Sequence, residues 1–273
     1  MLVFQRFYQD DTPSPVQLWG EGILVAALGS FFAGWLFPNE AGIVAVFLAA
    51  ISSTDSIERL LSWNRRMILD QEVPPARANG RIAKRLMALF LGATIGFSVF
   101  ALALPLDQVN QLYAHQLKEV ANTEFGAMGF GHPGDIAIHN IYVFLFFFMI
   151  ALPFRQGGVM LAIAWNASVW GATFAVLARN WADTGTVGLV EAYLRVIAAC
   201  GPHLLLEAAA FVCAGVAGVF LSKAFLRYTL ESEAFGSVLK SVSMLLLTGL
   251  VLVCAGAVLE GLLAAHLVGW LAG

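Results

Sequence analysis

Five polar side chains interrupt stretches that are otherwise apolar: Asn140, Asn166, His203, Glu207 and Glu260. Their types are those that move protons, bind ions or tie helices together. His203 and Glu207 are four residues apart, so a helix sets both on one face, one turn from each other. Gly201-Pro202 stands immediately before them. Within a hydrocarbon layer a carboxylate or imidazole costs kilocalories unless it is protonated, paired or wet. Glu207 and Glu260 carry most of that cost. Three readings follow: a structural polar core that fixes the helix arrangement; a proton path, ion path or polar substrate cavity; a metal or catalytic site.

The metal reading has one further pointer. His132-Pro133-Gly134-Asp135 and His139 stand at one end of an apolar stretch, and imidazole with carboxylate suits zinc. Pro-Gly reads as a turn, which makes incidental loop histidines the simpler expectation. The chain has no HExxH, no GxSxG and no P-loop, so nothing in it announces a protease, a lipase or an ATPase. No cofactor and no metal site are expected, and the expected role is non-enzymatic.

The elements that must position these residues are apolar helices. The chain is 59% hydrophobic and only 12% charged, with mean hydropathy +0.79; a soluble domain carries about 25% charged residues. The net charge of −3 gives no nucleic-acid footprint. Cys200, Cys213 and Cys254 are dispersed in apolar segments and read as small packing residues, not as a disulfide framework. Met1–Gly20 lacks a basic segment before a short apolar core and does not read as a cleavable signal peptide.

A membrane-crossing helix needs about 20 residues. Leu86–Leu104, Ile136–Leu152, Gly158–Ala178 and Val242–Ala272 meet this, and Leu204–Ser222 does so with Glu207 inside it. Gly22–Ile51 is interrupted at Pro38-Asn39-Glu40 and reads as an apolar helical hairpin or a partly re-entrant pair. Val187–Cys200 is short and runs into Gly201-Pro202, where proline is expected to break the helix. The expected fold is therefore all-α: a polytopic transmembrane helical bundle with an N-terminal apolar hairpin and a Pro-broken re-entrant or half-helix element near 187–202. Three regions follow: an N-terminal segment 1–53 with the hairpin, a basic elbow 54–85 with an amphipathic helix around Ser56–Leu69, and a five-span core 86–273. Gly92 with Gly96, and Ala214 with Gly218, present small faces for close helix packing within the chain.

Basic residues orient such a bundle. Arg59, Arg65, Arg66, Arg77, Arg81, Lys84 and Arg85 place 54–85 in the cytoplasm, against anionic headgroups or a docking partner. The acidic loop 105–135 and the C-terminus are then outside. The expected setting is an integral protein of a prokaryotic plasma membrane.

The polar pattern resembles the stage II sporulation protein M family. The likeness rests on Asn140, Asn166, Gly201-Pro202-His203 with Glu207, and Ala255-Gly256-Ala257-Val258-Leu259-Glu260 in the last span. It covers roughly 86–266. Leu204 stands where the family has glycine, and the proline that usually follows the Glu is missing. What the resemblance implies is a polytopic helical protein that scaffolds partners, as the name-giving member anchors a peptidoglycan-degrading complex. The expected partners are the lipid bilayer, membrane or cell-envelope proteins, and a second copy of the chain. The rival expectations are a transporter, flippase or channel that uses the intramembrane His/Glu/Asn cluster, and an intramembrane metal-dependent hydrolase built on His203, Glu207 and Glu260.

Overall fold

The computed structural model describes residues 12–69, 73–122 and 133–272, and all its regular elements are helices. In chain order they are α1 (Pro15–Leu36), α2 (Ala41–Ser52), α3 (Thr54–Leu69), α4 (Pro75–Ala103), α5 (Leu106–Leu112), α6 (Ala114–Asn122), α7 (Pro133–Phe154), α8 (Gln156–Ala182), α9 (Leu189–Arg227) and α10 (Glu233–Ala272). Six of them, α1, α4, α7, α8, α9 and α10, are long and apolar enough to cross a membrane. The chain is thus an all-α polytopic bundle with an integral membrane character.

Local chemistry starts and stops these helices. Ser14 caps α1: its Oγ accepts from the Gln17 amide at 3.2 Å, Gln17 Oε1 accepts from the Ser14 amide at 2.8 Å, and Pro15 takes the first helical position. Pro38-Asn39-Glu40 then turns the chain back into α2, so the N-terminal hairpin forms as expected. The apolar run ends at Ser53, where α2 and α3 meet at a 46° bend. The charged α3 continues the return stroke as the amphipathic helix of the elbow. Residues 75–85 of the elbow are helical and form the opening turns of the 29-residue α4.

Glycines set the distances between helices. The Cβ that Gly92 lacks would fall 2.0 Å from the Trp19 carbonyl oxygen, and that of Gly96 2.5 Å from the Ile23 oxygen. A Cβ on Gly22 would fall 2.4 Å from the Leu89 oxygen. The matched order of Trp19 with Gly92 and Ile23 with Gly96 makes α1 and α4 parallel. The two small residues of α4 therefore serve internal packing, as the sequence suggested. Pro15 and Pro75 then share the end that carries the elbow, and Leu36 and Ala103 share the far end. α8 also runs parallel to α4: Gly171 packs on Phe97 and Thr94, and farther along both helices Arg179 donates to the carbonyls of Ala101 and Leu102 at the C-terminus of α4. At the far end Tyr113 and Gln116, from α5–α6, are fully buried. Tyr113 bonds Ser30 of α1 at 2.7 Å, and Gln116 donates to the Gly42 carbonyl at 3.0 Å.

The second half of the bundle is α7, α9 and α10, with α8 between the halves. α7 and α8 are joined by a hairpin tight enough to hold Arg155 at φ 51°, a left-handed conformation costly for any residue but glycine. Gly218 of α9 meets the Phe148 oxygen and Ala151 of α7, where a Cβ would lie 2.6 and 2.7 Å away.

One expectation is corrected here. No break or re-entrant turn occurs near 187–202. α9 runs without interruption for 39 residues through Gly201 and Pro202. Proline removes one N–H from the ladder, but a helix packed among others keeps its course when its neighbours hold both halves in line. Val196 and Leu204, on either side of Pro202, share a cluster with Phe174 of α8. Leu189–Cys200 is therefore the first third of a single long helix, about 58 Å in length.

Candidate functional site

The site lies between α7, α9 and α10, on the far-end side of their middle. Glu207 is buried on α9, and its Oε1 accepts a hydrogen bond from Asn140 Nδ2 of α7 at 2.7 Å. Gly256 of α10 supplies the room: a Cβ there would lie 3.2 Å from Glu207 Cγ and 3.5 Å from the His203 carbonyl oxygen. Any larger residue at 256 would press on the carboxylate.

One turn toward the far end, His203 is 3% exposed and neither ring nitrogen has a hydrogen-bond partner. One turn beyond Gly256, Glu260 is 8% exposed. It lies within electrostatic range of both Cys200 and Glu207 across the α9–α10 contact. The order toward the far end is thus Glu207 with Asn140, then His203, then Glu260.

Toward the elbow end the site has an aromatic floor. Phe144, Phe147 and Phe211 are buried with Val253 in one cluster. Phe147 and Phe211 pack edge to face at 5.5 Å. Phe144 fills the notch left by Gly249, where a Cβ would meet its ring at 2.2 Å. These rings are the step between the polar group and the other end of the bundle.

Of the five residues singled out by type, the structure gathers four. Asn166 is the exception. Its Nδ2 donates to the Ala162 carbonyl of its own helix at 2.8 Å, so it caps a turn of α8 and makes no bond to the site. Helical self-bonding of this sort competes with any tertiary use of a short polar side chain. Gly201 and Pro202, expected as a helix break, are instead the helical residues directly before His203.

The metal reading finds no geometry. Among the described residues no group of three or more His, Cys, Asp or Glu could hold an ion. Asp135 and His139 are exposed on α7, and His132 lies outside the described residues.

A second polar network, at the elbow end, has no counterpart in the sequence reading. Lys223 of α9 donates to both carboxylate oxygens of Glu58 on α3, each at 2.8 Å, and Ser62 donates to the same carboxylate at 3.0 Å. Burial acts to raise the Glu58 carboxyl's titration, but the Lys223 bond and charge, with Ser62 and the charge of Arg227, hold it below the ordinary glutamate value. Beside it, Asn64 of α3 donates to Asn79 of α4 at 3.1 Å, and Asn79 to Ser241 of α10 at 2.9 Å. Arg85 stacks over Trp63 at 5.1 Å. Partners 165 residues apart, as Glu58 and Lys223 are, leave no local signature.

Fold and site together define a polytopic helical membrane protein with a buried Asn–Glu–His group between three of its spanning helices. No family model, no curated protein and no solved structure matches the chain.

Proposed function

We propose that this chain is an integral membrane protein of the stage II sporulation protein M type that organises partner proteins of the cell envelope and catalyses no reaction itself. The observation that carries the reading is the 2.7 Å bond between Asn140 and Glu207. Two of the residues on which the family resemblance rests, far apart in sequence, meet in one contact that joins α7 to α9. With Gly256 seated against it, the contact supports a fixed arrangement of three helices. Such an arrangement presents the polar ends of a bundle in constant relation, which is what an organiser requires.

The Lys/Arg asymmetry supports an orientation with the basic elbow in the cytoplasm and residues 105–135 outside, in a prokaryotic plasma membrane. Partners would then meet α3 and the start of α4 on one side, and α5–α6 on the other. The test is affinity capture of the full-length protein from cross-linked native membranes. The expected result is a stoichiometric envelope protein, lost when the exposed Arg77, Arg81 and Lys84 or the α5–α6 segment is replaced. Capture of lipid and of this chain alone would overturn the reading.

A further inference from the structure

A group of side chains that served only to hold helices would bond each of its members, because every buried polar atom left unpaired costs about 1–3 kcal/mol. The α7–α9–α10 group does not follow that rule. Asn140 and Glu207 are bonded to each other. His203 is 97% buried by its 3% exposure, and both ring nitrogens are without a partner. It stands one turn from Glu207 on the same face, at the contact with α10 where Gly256 has left room. The imidazole is thus kept at the site at a cost that helix packing does not explain.

The charges that face the site are few. On α9 they are His203 and Glu207, with the thiol of Cys200; the nearest cations on that helix are Arg195, eight residues and about 12 Å before His203, which is paired with Glu191, and Lys223, 16 residues and about 24 Å beyond Glu207, which is committed to Glu58. From α10 comes Glu260. α7 contributes Asn140, with Asp135 and His139 exposed above it. α8 carries no charged residue between Arg155 and Arg179. Two carboxyl groups and an imidazole therefore share a buried space with no Lys or Arg among the described residues to balance them. The three are not disposed to hold a metal ion. The chemistry that balances carboxylates and imidazole without a second cation is protonation.

We propose that Glu207 and His203 form a proton-binding site, loaded from the far end past Glu260 and closed toward the elbow end by the Phe144–Phe147–Phe211 floor. The proton comes from bulk water at the far face, bonds to the Glu207 carboxylate or to a His203 ring nitrogen, and returns by the same route. No co-reactant is consumed. Glu260, nearest the far end, relays the proton and is not its resting place. This goes beyond the organising role and stands or falls apart from it, since partner capture and protonation are read by different measurements.

The test uses the full-length protein in lipid nanodiscs and infrared difference spectra between acid and alkaline buffer. The expected result is a protonated-carboxyl band that forms reversibly on acidification and is lost in Glu207→Gln. His203→Gln is expected to keep that band and move its midpoint. In sealed vesicles Glu260→Gln is expected to slow the formation of the band without removing it. A wild-type spectrum that survives unchanged in Glu207→Gln overturns the proposal. So does a sodium step at constant pH that erases the band, since the ligand would then be a cation. Should Glu207→Gln not fold, as judged by size-exclusion chromatography, His203→Gln decides alone: a shifted midpoint supports the site and an unmoved one overturns it.

Discussion

Two carboxylates of this chain, the half-buried Glu58 and the buried Glu207, lie on or against the same helix and have opposite surroundings. Glu58 receives three hydrogen bonds, two from an ammonium and one from a hydroxyl. Glu207 receives one, from a neutral amide, with a second carboxylate and an unpartnered imidazole as its neighbours. The first environment is compensated and can do nothing but hold α3 to α9. The second is kept short of compensation. The two differ in burial and, more sharply, in the balance of charge around them.

The comparison can be broken by removing partners. Lys223→Met strips Glu58 of its cation and is expected to have the largest effect. The loss is about 2 kcal/mol, less than for a fully buried pair because 35% of the Glu58 side chain is exposed. It reads as a fall in thermal unfolding temperature in detergent, and Glu58→Gln in the same background should restore part of it.

Acid sharpens the contrast. The Glu58 carboxyl titrates below its ordinary value of 4.5 in the fold, so the pair's contribution is complete above that value. It is lost as pH falls through the lowered one, where the folded group itself takes a proton. Unfolding temperature measured from neutral pH downward should fall less in Glu58→Gln than in the wild type. A parallel decline of the two would show that the pair contributes nothing.

Gly256→Ala is expected to cost about 1 kcal/mol, the low end for overpacking, because the Glu207 side chain must yield by a few tenths of an ångström. The asymmetry predicts that Gly261→Ala, whose added methyl would meet first the ring of Pro133, leaves the infrared band of Glu207 unmoved while Gly256→Ala shifts it.

The smallest change is expected from Glu207→Gln itself. The amide oxygen still accepts from Asn140, and an unbalanced carboxyl is removed, so stability should stay within about 1 kcal/mol of the wild type. A collapse of the fold in this variant would make Glu207 a structural member like Glu58 and erase the distinction.

Much of the architecture was legible in the chain because each signal for it is local. Apolar runs of span length, the Pro38-Asn39-Glu40 turn and the amphipathic charge pattern of α3 are all properties of neighbouring residues. The same holds for the spacing of His203 and Glu207, which any helix turns into a shared face. Pro202 was misleading for the converse reason. Its effect on a helix depends on what packs around it, and Phe174 of α8 spans the position. Asn166 has the same type and setting as Asn140, yet it bonds its own helix; nothing in the sequence separates the two.

The amino-acid sequence by itself determined that this protein is a bundle of membrane-length helices, and which of them carry ionisable groups into the apolar layer. Hydrophobic length and helical periodicity suffice for that. The tertiary structure alone decided which groups meet. It placed Glu58 under an ammonium from a helix 165 residues away, set Asn140 on Glu207, left His203 bare, and gave Gly256 the task of making room. Partnership in a packed interior is fixed by helix register and close approach, and those are properties of pairs of helices, not of any one segment.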